Sequence, residues 1–258
     1  MNHYDYLKKI GELYDKRIAS SSDGVIAAGQ WGSHKFVEPI CDEIIKKIDL
    51  KNNHVVLELG CGSGILGNEI IPKCEKYVGI DLSFKMMRFF KNGINIKNID
   101  LIRATIDKIP FQNNIFDLII MNGVTMYIPN NSFLIQLIDE IKRVSKKNTT
   151  IFIGENITPE GLKWEFTWFQ NLSSFLKQFA KHYISLRVWL MKKNKSLSGK
   201  WTNIHNTIHP EFLNEQFGSN YEIIQSSAAA CTIKQNILGR KYRGNKRVDF
   251  VIKLKSEV

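Results

Sequence analysis

The stretch Val55-Val56-Leu57-Glu58-Leu59-Gly60-Cys61-Gly62-Ser63-Gly64-Ile65-Leu66-Gly67 decides how this chain is read. An apolar run ends in an acid, glycines follow at two-residue spacing, and a helix-like pattern begins at Ile65. Glycines in such a turn admit positive φ and let the backbone approach a bound molecule closely, because no Cβ intervenes. The helix that follows would aim its free N–H groups at that molecule. The pattern predicts a nucleotide-type site at the end of a parallel strand.

Outward from this stretch, strand and helix patterns alternate. Residues 55–59, 77–80, 99–103, 116–121 and 150–154 read as strands, and residues 65–71, 84–91 and 133–144 as helices, the first of them stopped by Pro72. Repeated strand–helix units imply a parallel sheet with helices on both faces. Strands buried on both faces read as continuous apolar runs, as these do. Residues 1–50 read as helical, with a loop at 20–24 and apolar side chains at helical spacing over 36–48. The alternation stops near residue 157, and residues 158–207 are aromatic, basic and helical. A short helix at 209–217 and strands at 221–226 and 248–254 follow, with a basic loop expected over 234–247. The division is one domain: a helical lid over 1–50, a core over 51–157, an inserted helical segment over 158–207, and C-terminal strands of the core over 208–258.

With 258 residues, 43% of them hydrophobic, the chain can bury a substantial core. No apolar run is long enough to span a bilayer, and the N-terminus lacks a signal-like apolar segment. Cys41, Cys61, Cys74 and Cys231 are scattered without CxxC spacing. They read as free thiols, which predicts a cytoplasmic protein with no disulfide frame and no metal site. The net charge of +11 comes mostly from dispersed lysines and reads as compositional drift.

Gly62-Ser63-Gly64-Ile65-Leu66-Gly67 matches the dinucleotide pattern G-x-G-x-x-G, and Asp81 lies 19 residues beyond Gly62. A nicotinamide-dependent oxidoreductase is therefore one reading. Glu58 weighs against it, because an acid at the strand tip suits an ammonium or sulfonium and repels a pyrophosphate. Asp81 closes Tyr77-Val78-Gly79-Ile80-Asp81-Leu82-Ser83, where a carboxylate can accept from both hydroxyls of a ribose. Ile109-Pro110-Phe111 precedes Phe116-Asp117-Leu118-Ile119-Ile120-Met121-Asn122, and Ile141-Lys142-Arg143-Val144-Ser145-Lys146-Lys147 leads into residues 150–154.

In this order the motifs resemble those of the class I S-adenosylmethionine-dependent methyltransferases, strongly over residues 55–155 and loosely toward the C-terminus. The resemblance implies an α/β, doubly wound, mostly parallel seven-stranded sheet of Rossmann-like type. Its antiparallel last strand would be residues 248–254, and a helical insertion would act as a lid. It implies S-adenosyl-L-methionine as cofactor. Gly60, Cys61, Gly62 and Gly64 would form the turn beneath its methionine part, with Glu58 orienting it. Asp81 would hold the ribose hydroxyls, Leu82 would pack on adenine, Thr105 and Ile106 would flank the adenine amino group, and Asn122 would line the methionine end. Two positions depart from the pattern. Thr105 stands where many members place an acid. Asn122-Gly123-Val124-Thr125 is not the Asn-Pro-Pro-Tyr type used on planar amide or base nitrogens, which argues against base or glutamine methylation.

Methyl transfer chiefly needs donor and acceptor held in line with water excluded. A hydroxyl acceptor also calls for a general base, and histidine suits neutral pH. The candidates are Tyr127 just after the Asn122 turn, His34 in the glycine-flanked loop Gly29-Gln30-Trp31-Gly32-Ser33-His34, and His209, with His182 and His205 behind them. The expected partner is a small-molecule acceptor, a metabolite or sugar-like compound methylated on oxygen or nitrogen beneath residues 1–40 and 158–207. The basic residues Arg240, Lys241, Arg243, Lys246 and Arg247 permit a nucleic-acid substrate, but no appended RNA-binding module accompanies them. The stripe Leu172, Phe175, Leu176, Phe179, Tyr183, Leu186 and Leu190 reads as a packed helix; its basic flanks permit a membrane-surface role without favouring it. A non-catalytic binding protein is the remaining reading, and the sequence carries no signature of an oligomeric state.

Overall fold

The computed structural model describes residues 3–21, 23–29, 33–94, 98–157, 208–238 and 247–255. The inserted segment 158–207 with His182 and His205, Trp31 of the glycine-flanked loop, and residues 240–246 of the basic stretch lie outside the described residues.

The apolar run at the centre of the sequence forms β1 (Val55–Leu59). Around it stand β2 (Lys76–Asp81), β3 (Ile99–Arg103), β4 (Phe116–Asn122), β5 (Ser145–Ile157), β6 (Tyr221–Ser227) and β7 (Arg247–Leu254). They make one seven-stranded sheet in the order β3-β2-β1-β4-β5-β7-β6. The strands from β3 to β5 pair in parallel, and β7 runs antiparallel to both of its neighbours, with Ile153 opposite Phe250 and Ile224 opposite Val251.

Alternation along β1 sorts the core into two layers. Leu57 and Leu59 face a cluster with Leu137, Ile138 and Ile141 of α6 (Asn131–Val144). Val56 faces a second cluster with Ile40, Ile44 and Ile48 of α3 (Val37–Ile48) and Phe90 of α5 (Phe84–Asn92). Ser83 caps α5 by accepting from the Met86 N–H, and Asn130 caps α6 by accepting from Phe133. The first fifty residues therefore divide. Helices α1 (His3–Ser21) and α2 (Gly24–Ala28) lie toward the strand tips, while α3 packs against the sheet as a core helix.

Three elements differ from the sequence reading. The helix expected over 65–71 is a four-residue α4 (Gly67–Ile70) followed by a 3-10 turn, Ile71–Lys73, that contains Pro72. Gly64 holds positive φ and Pro72 cannot donate, so little regular helix fits between them. Strand β5 extends well beyond 150–154, with a register shift between Ile153 and Asn156 where Glu155 adopts a φ of 61°. The expected loop over 234–247 begins instead as the end of a helix, α8 (Ala229–Leu238), seated by its buried Ala229, Ala230 and Cys231. The short helix read near 209–217 is α7 (Pro210–Phe217).

Candidate active site

At the end of β1 the chain turns through Gly60, Gly62 and Gly64 with φ of 81°, 52° and 79°. Space as well as φ demands glycine at two of them. A Cβ on Gly60 would lie 2.4 Å from Val124 Cγ2, and one on Gly64 would lie 1.9 Å from Phe90 Cδ2. The turn is tied to the neighbouring strand. The Gly60 and Cys61 N–H groups donate to the Ile80 carbonyl at 2.7 and 3.1 Å. Gly62 N–H donates to Asp81 Oδ2 at 2.8 Å, and Ser83 N–H donates to Oδ1 at 2.7 Å. Asp81 thus pins the glycine turn to the tip of β2 while lining the cavity beside it. Burial raises its pKa, and the backbone N–H groups work against that rise.

Glu58, one residue short of the β1 tip, is 4% exposed. The Tyr77 hydroxyl donates to its Oε2 at 2.5 Å. Burial pushes the carboxyl up to about 8, with the tyrosine bond opposing. A buried carboxyl of this kind ionises readily only when a cation arrives beside it. On the far side, Asn122 closes β4 against Gly154, where a Cβ would meet Asn122 Oδ1 at 2.3 Å. Gly123 N–H donates to the Gly154 carbonyl at 3.1 Å.

Helix α1 roofs the site. Leu7, Ile10, Gly11 and Tyr14 line it from above, and Gly11 rides so close that a Cβ would stand 3.0 Å from the Leu82 carbonyl oxygen. Asp15 anchors the helix, accepting from the Ser83 hydroxyl at 2.6 Å and the Lys85 N–H at 2.9 Å. The Tyr14 and Tyr127 hydroxyls are hydrogen-bonded to each other, with their rings 5.8 Å apart and nearly perpendicular at 89°. The cavity opens to solvent, and its space, counted with that open mouth, is about 980 Å³.

The cavity gathers Glu58, Gly60, Cys61, Gly62, Asp81, Leu82, Thr105, Ile106, Asn122 and Tyr127 from six stretches of chain. Gly64 does not line it; this residue lies under the turn against Phe90 and shapes it from behind. Neither His34 nor His209 lines it. His34 Nε2 pairs with Asp23 Oδ2 at 2.8 Å, and its side chain is 67% exposed. That bond, with the Ile26 and Val25 N–H groups that Asp23 caps, holds the Asp23 carboxyl below its usual range. His209 is exposed just ahead of Pro210 in α7. Sequence reasoning expected a helical lid over residues 1–50 but named none of the α1 residues in the wall, although Leu7, Ile10, Gly11 and Tyr14 fall at the i, i+3, i+4, i+7 spacing of one helical face. Tyr77 as the partner of Glu58 left no such trace.

Residues 57–153 match the family model of the methyltransferase domain. An uncharacterised methyltransferase of Schizosaccharomyces pombe is 34% identical over 97 residues, 36% of this chain and 36% of that protein. The chondramide synthase of Chondromyces crocatus is 30% identical over 105 residues, which make up 39% of this chain and 3% of the synthase. The chain thus spans little more than a third of the length of one of these curated relatives and a small part of the other. Phosphoethanolamine N-methyltransferase 1 of Haemonchus contortus, solved with phosphoethanolamine and S-adenosylhomocysteine, superposes with a TM-score of 0.68. The superposition covers 100% of this chain and 51% of that one at 11% identity, a similarity of fold.

Proposed function

We propose that this chain, a class I S-adenosylmethionine-dependent methyltransferase by its sheet and its matched domain, methylates an oxygen or nitrogen of a small molecule. The observation that carries the reading is the sequence of groups around one cavity: buried acid, glycine turn, second acid, apolar wall and amide. The walls suit the cofactor. Glu58 is a buried carboxyl whose charge needs a cation, the Gly60 turn is a cradle that a Cβ would fill, and Asp81 stands at the tip of the neighbouring strand.

Glu58 would hold the amino-acid end with the glycine turn, Asp81 the ribose, and Leu82, Thr105 and Ile106 the base. When bound, S-adenosylmethionine supplies an electrophilic methyl carbon with a neutral thioether as leaving group. The α1 roof covers the site from above, and Asn122 and Tyr127 form the wall at its Gly60 side. The described cysteines are all free and buried, which supports a reducing compartment such as the cytoplasm. Among the described residues no helix is long and apolar enough to cross a membrane.

The nicotinamide reading is disfavoured by two features. The acid beside the turn is buried, and α4, only four residues long, offers little helix dipole to a pyrophosphate. Calorimetry tests the choice. S-adenosylhomocysteine should bind and NAD should not; tight NAD binding with no S-adenosylhomocysteine binding would overturn the proposal. Asp81→Ala removes charge-assisted bonds and should weaken S-adenosylhomocysteine on the order of 100-fold.

A further inference from the structure

The roof and the turn after β4 bring two phenols together at the cavity wall. Tyr14 comes from α1 and Tyr127 from the 3-10 turn Thr125–Tyr127, 113 residues away in sequence. Their hydroxyls share one hydrogen bond, and either can be the donor. Each hydroxyl has one proton and two lone pairs, so the pair keeps more acceptor than donor capacity. This wall meets the Gly60 turn directly, because Val124 packs on Gly60.

Among the described residues, the cavity walls carry no histidine, lysine or arginine, in a chain with 36 lysines and arginines. Their ionisable carboxyls are Glu58 and Asp81. Glu58 holds the Tyr77 hydroxyl, and Asp81 holds the Gly62 and Ser83 N–H groups. A hydroxyl acceptor must lose its proton as it attacks, and at neutral pH it needs a base to take it. An amine leaves the proton of its neutral-pH ammonium in solvent before it reacts; the free base then attacks with its own lone pair and sheds a second proton only after the new bond has formed. Its N–H groups also match an acceptor-rich pair of hydroxyls.

We propose that the methylated atom is an amine nitrogen, and that the Tyr14–Tyr127 hydroxyl pair receives its N–H groups. The inference rests on the methyltransferase reading and narrows its acceptor. The nitrogen lone pair forms the N–C bond while the C–S bond breaks with its electrons kept by sulfur, and the N-methylammonium product releases its proton to solvent. Burial raises the pKa of Tyr14, so this phenol stays protonated and serves as an anchor, not a base. Tyr127 is the acceptor-binding residue, and Tyr14 positions its hydroxyl from the roof.

The test uses three small probes of matched length, n-butylamine, n-butanol and sodium butyrate, titrated into the protein saturated with S-adenosylhomocysteine. Butylamine should bind about tenfold more tightly than the other two. Tyr127→Phe should shrink that preference about fivefold, and Tyr14→Phe should shrink it less, with a retained cooperative melt marking each variant as folded. Equal binding of butanol or butyrate overturns the proposal, as does binding by none of the three. A preference that survives both phenylalanine variants overturns the role of the pair. The wild-type comparison stands even if a variant fails to fold. Failure of S-adenosylhomocysteine itself to bind would instead sink the methyltransferase reading.

Discussion

A carboxyl as deeply placed as Glu58 ties stability and binding to pH. Its folded pKa of about 8 stands above the ordinary 4.5. Between those values the folded protein holds more protons than the unfolded chain, so the stability Glu58 contributes is full below about pH 4.5 and is lost as pH rises toward 8. Denaturant midpoints should fall over that window in the wild type and fall less in Glu58→Gln. A cationic ligand reverses the preference. S-adenosylhomocysteine, with its ammonium, should bind more tightly as pH rises from about 6 to 8, and the glutamine variant should flatten the trend. The sequence singled out the acid ahead of the glycines, and that acid lines the cavity. Its Tyr77 partner was not, because the pairing depends on strand register, which sets Val56 beside Tyr77 and Glu58 beside Gly79.

Within the turn and helices that build the site, the glycines separate into distinct jobs. Gly62 needs glycine for its φ of 52°, and its added Cβ would find its nearest neighbour, Met86 Cε, at 3.8 Å. Gly64 needs it for φ and for space. Gly62→Ala should cost about 1–2 kcal/mol, the left-handed penalty alone. Gly64→Ala should cost roughly 3–4 kcal/mol, because Phe90 must also move. Urea unfolding of the two variants checks the difference, and equal costs would show that Phe90 gives way freely. Apolar runs located the strands well, since β1 falls on the residues its pattern marked. They failed at α8, where the small residues Ala229 and Ala230 carry little hydrophobic periodicity but seat the helix by close packing. They also misjudged the helix after the turn, whose length is set by backbone conformation at Gly64 and Pro72.

At the scale of the whole molecule, Asp249 joins distant parts of the chain. This carboxylate, 1% exposed, accepts from Lys47 Nζ of α3 at 2.8 Å and from the N–H groups of Ala229 and Glu155 at 2.9 Å each. Removing one partner leaves a buried charge only partly satisfied, so Lys47→Met should cost about 3 kcal/mol in thermal or chemical unfolding. Asp249→Ala strips partners from two backbone N–H groups as well and should cost more. The parallel pairing from β3 to β5 followed from the strand–helix alternation, though the order of the strands did not. The Asp249 hub did not, because it joins residues 202 positions apart that share no local pattern.

The last strand carries a consequence for how the molecule is made. Although β7 comes latest in the chain, it lies between β5 and β6. A ribosome delivers residues in order, so β5 emerges with an open edge and β6 with no neighbour until residues 247–254 appear. Through that interval the growing protein exposes bare ladder edges of the kind that pair with other chains. Chains stalled before residue 247 should be digested by protease and collected by chaperones, while chains extended past β7 resist both. Pulse proteolysis of arrested nascent chains of graded length would locate the step.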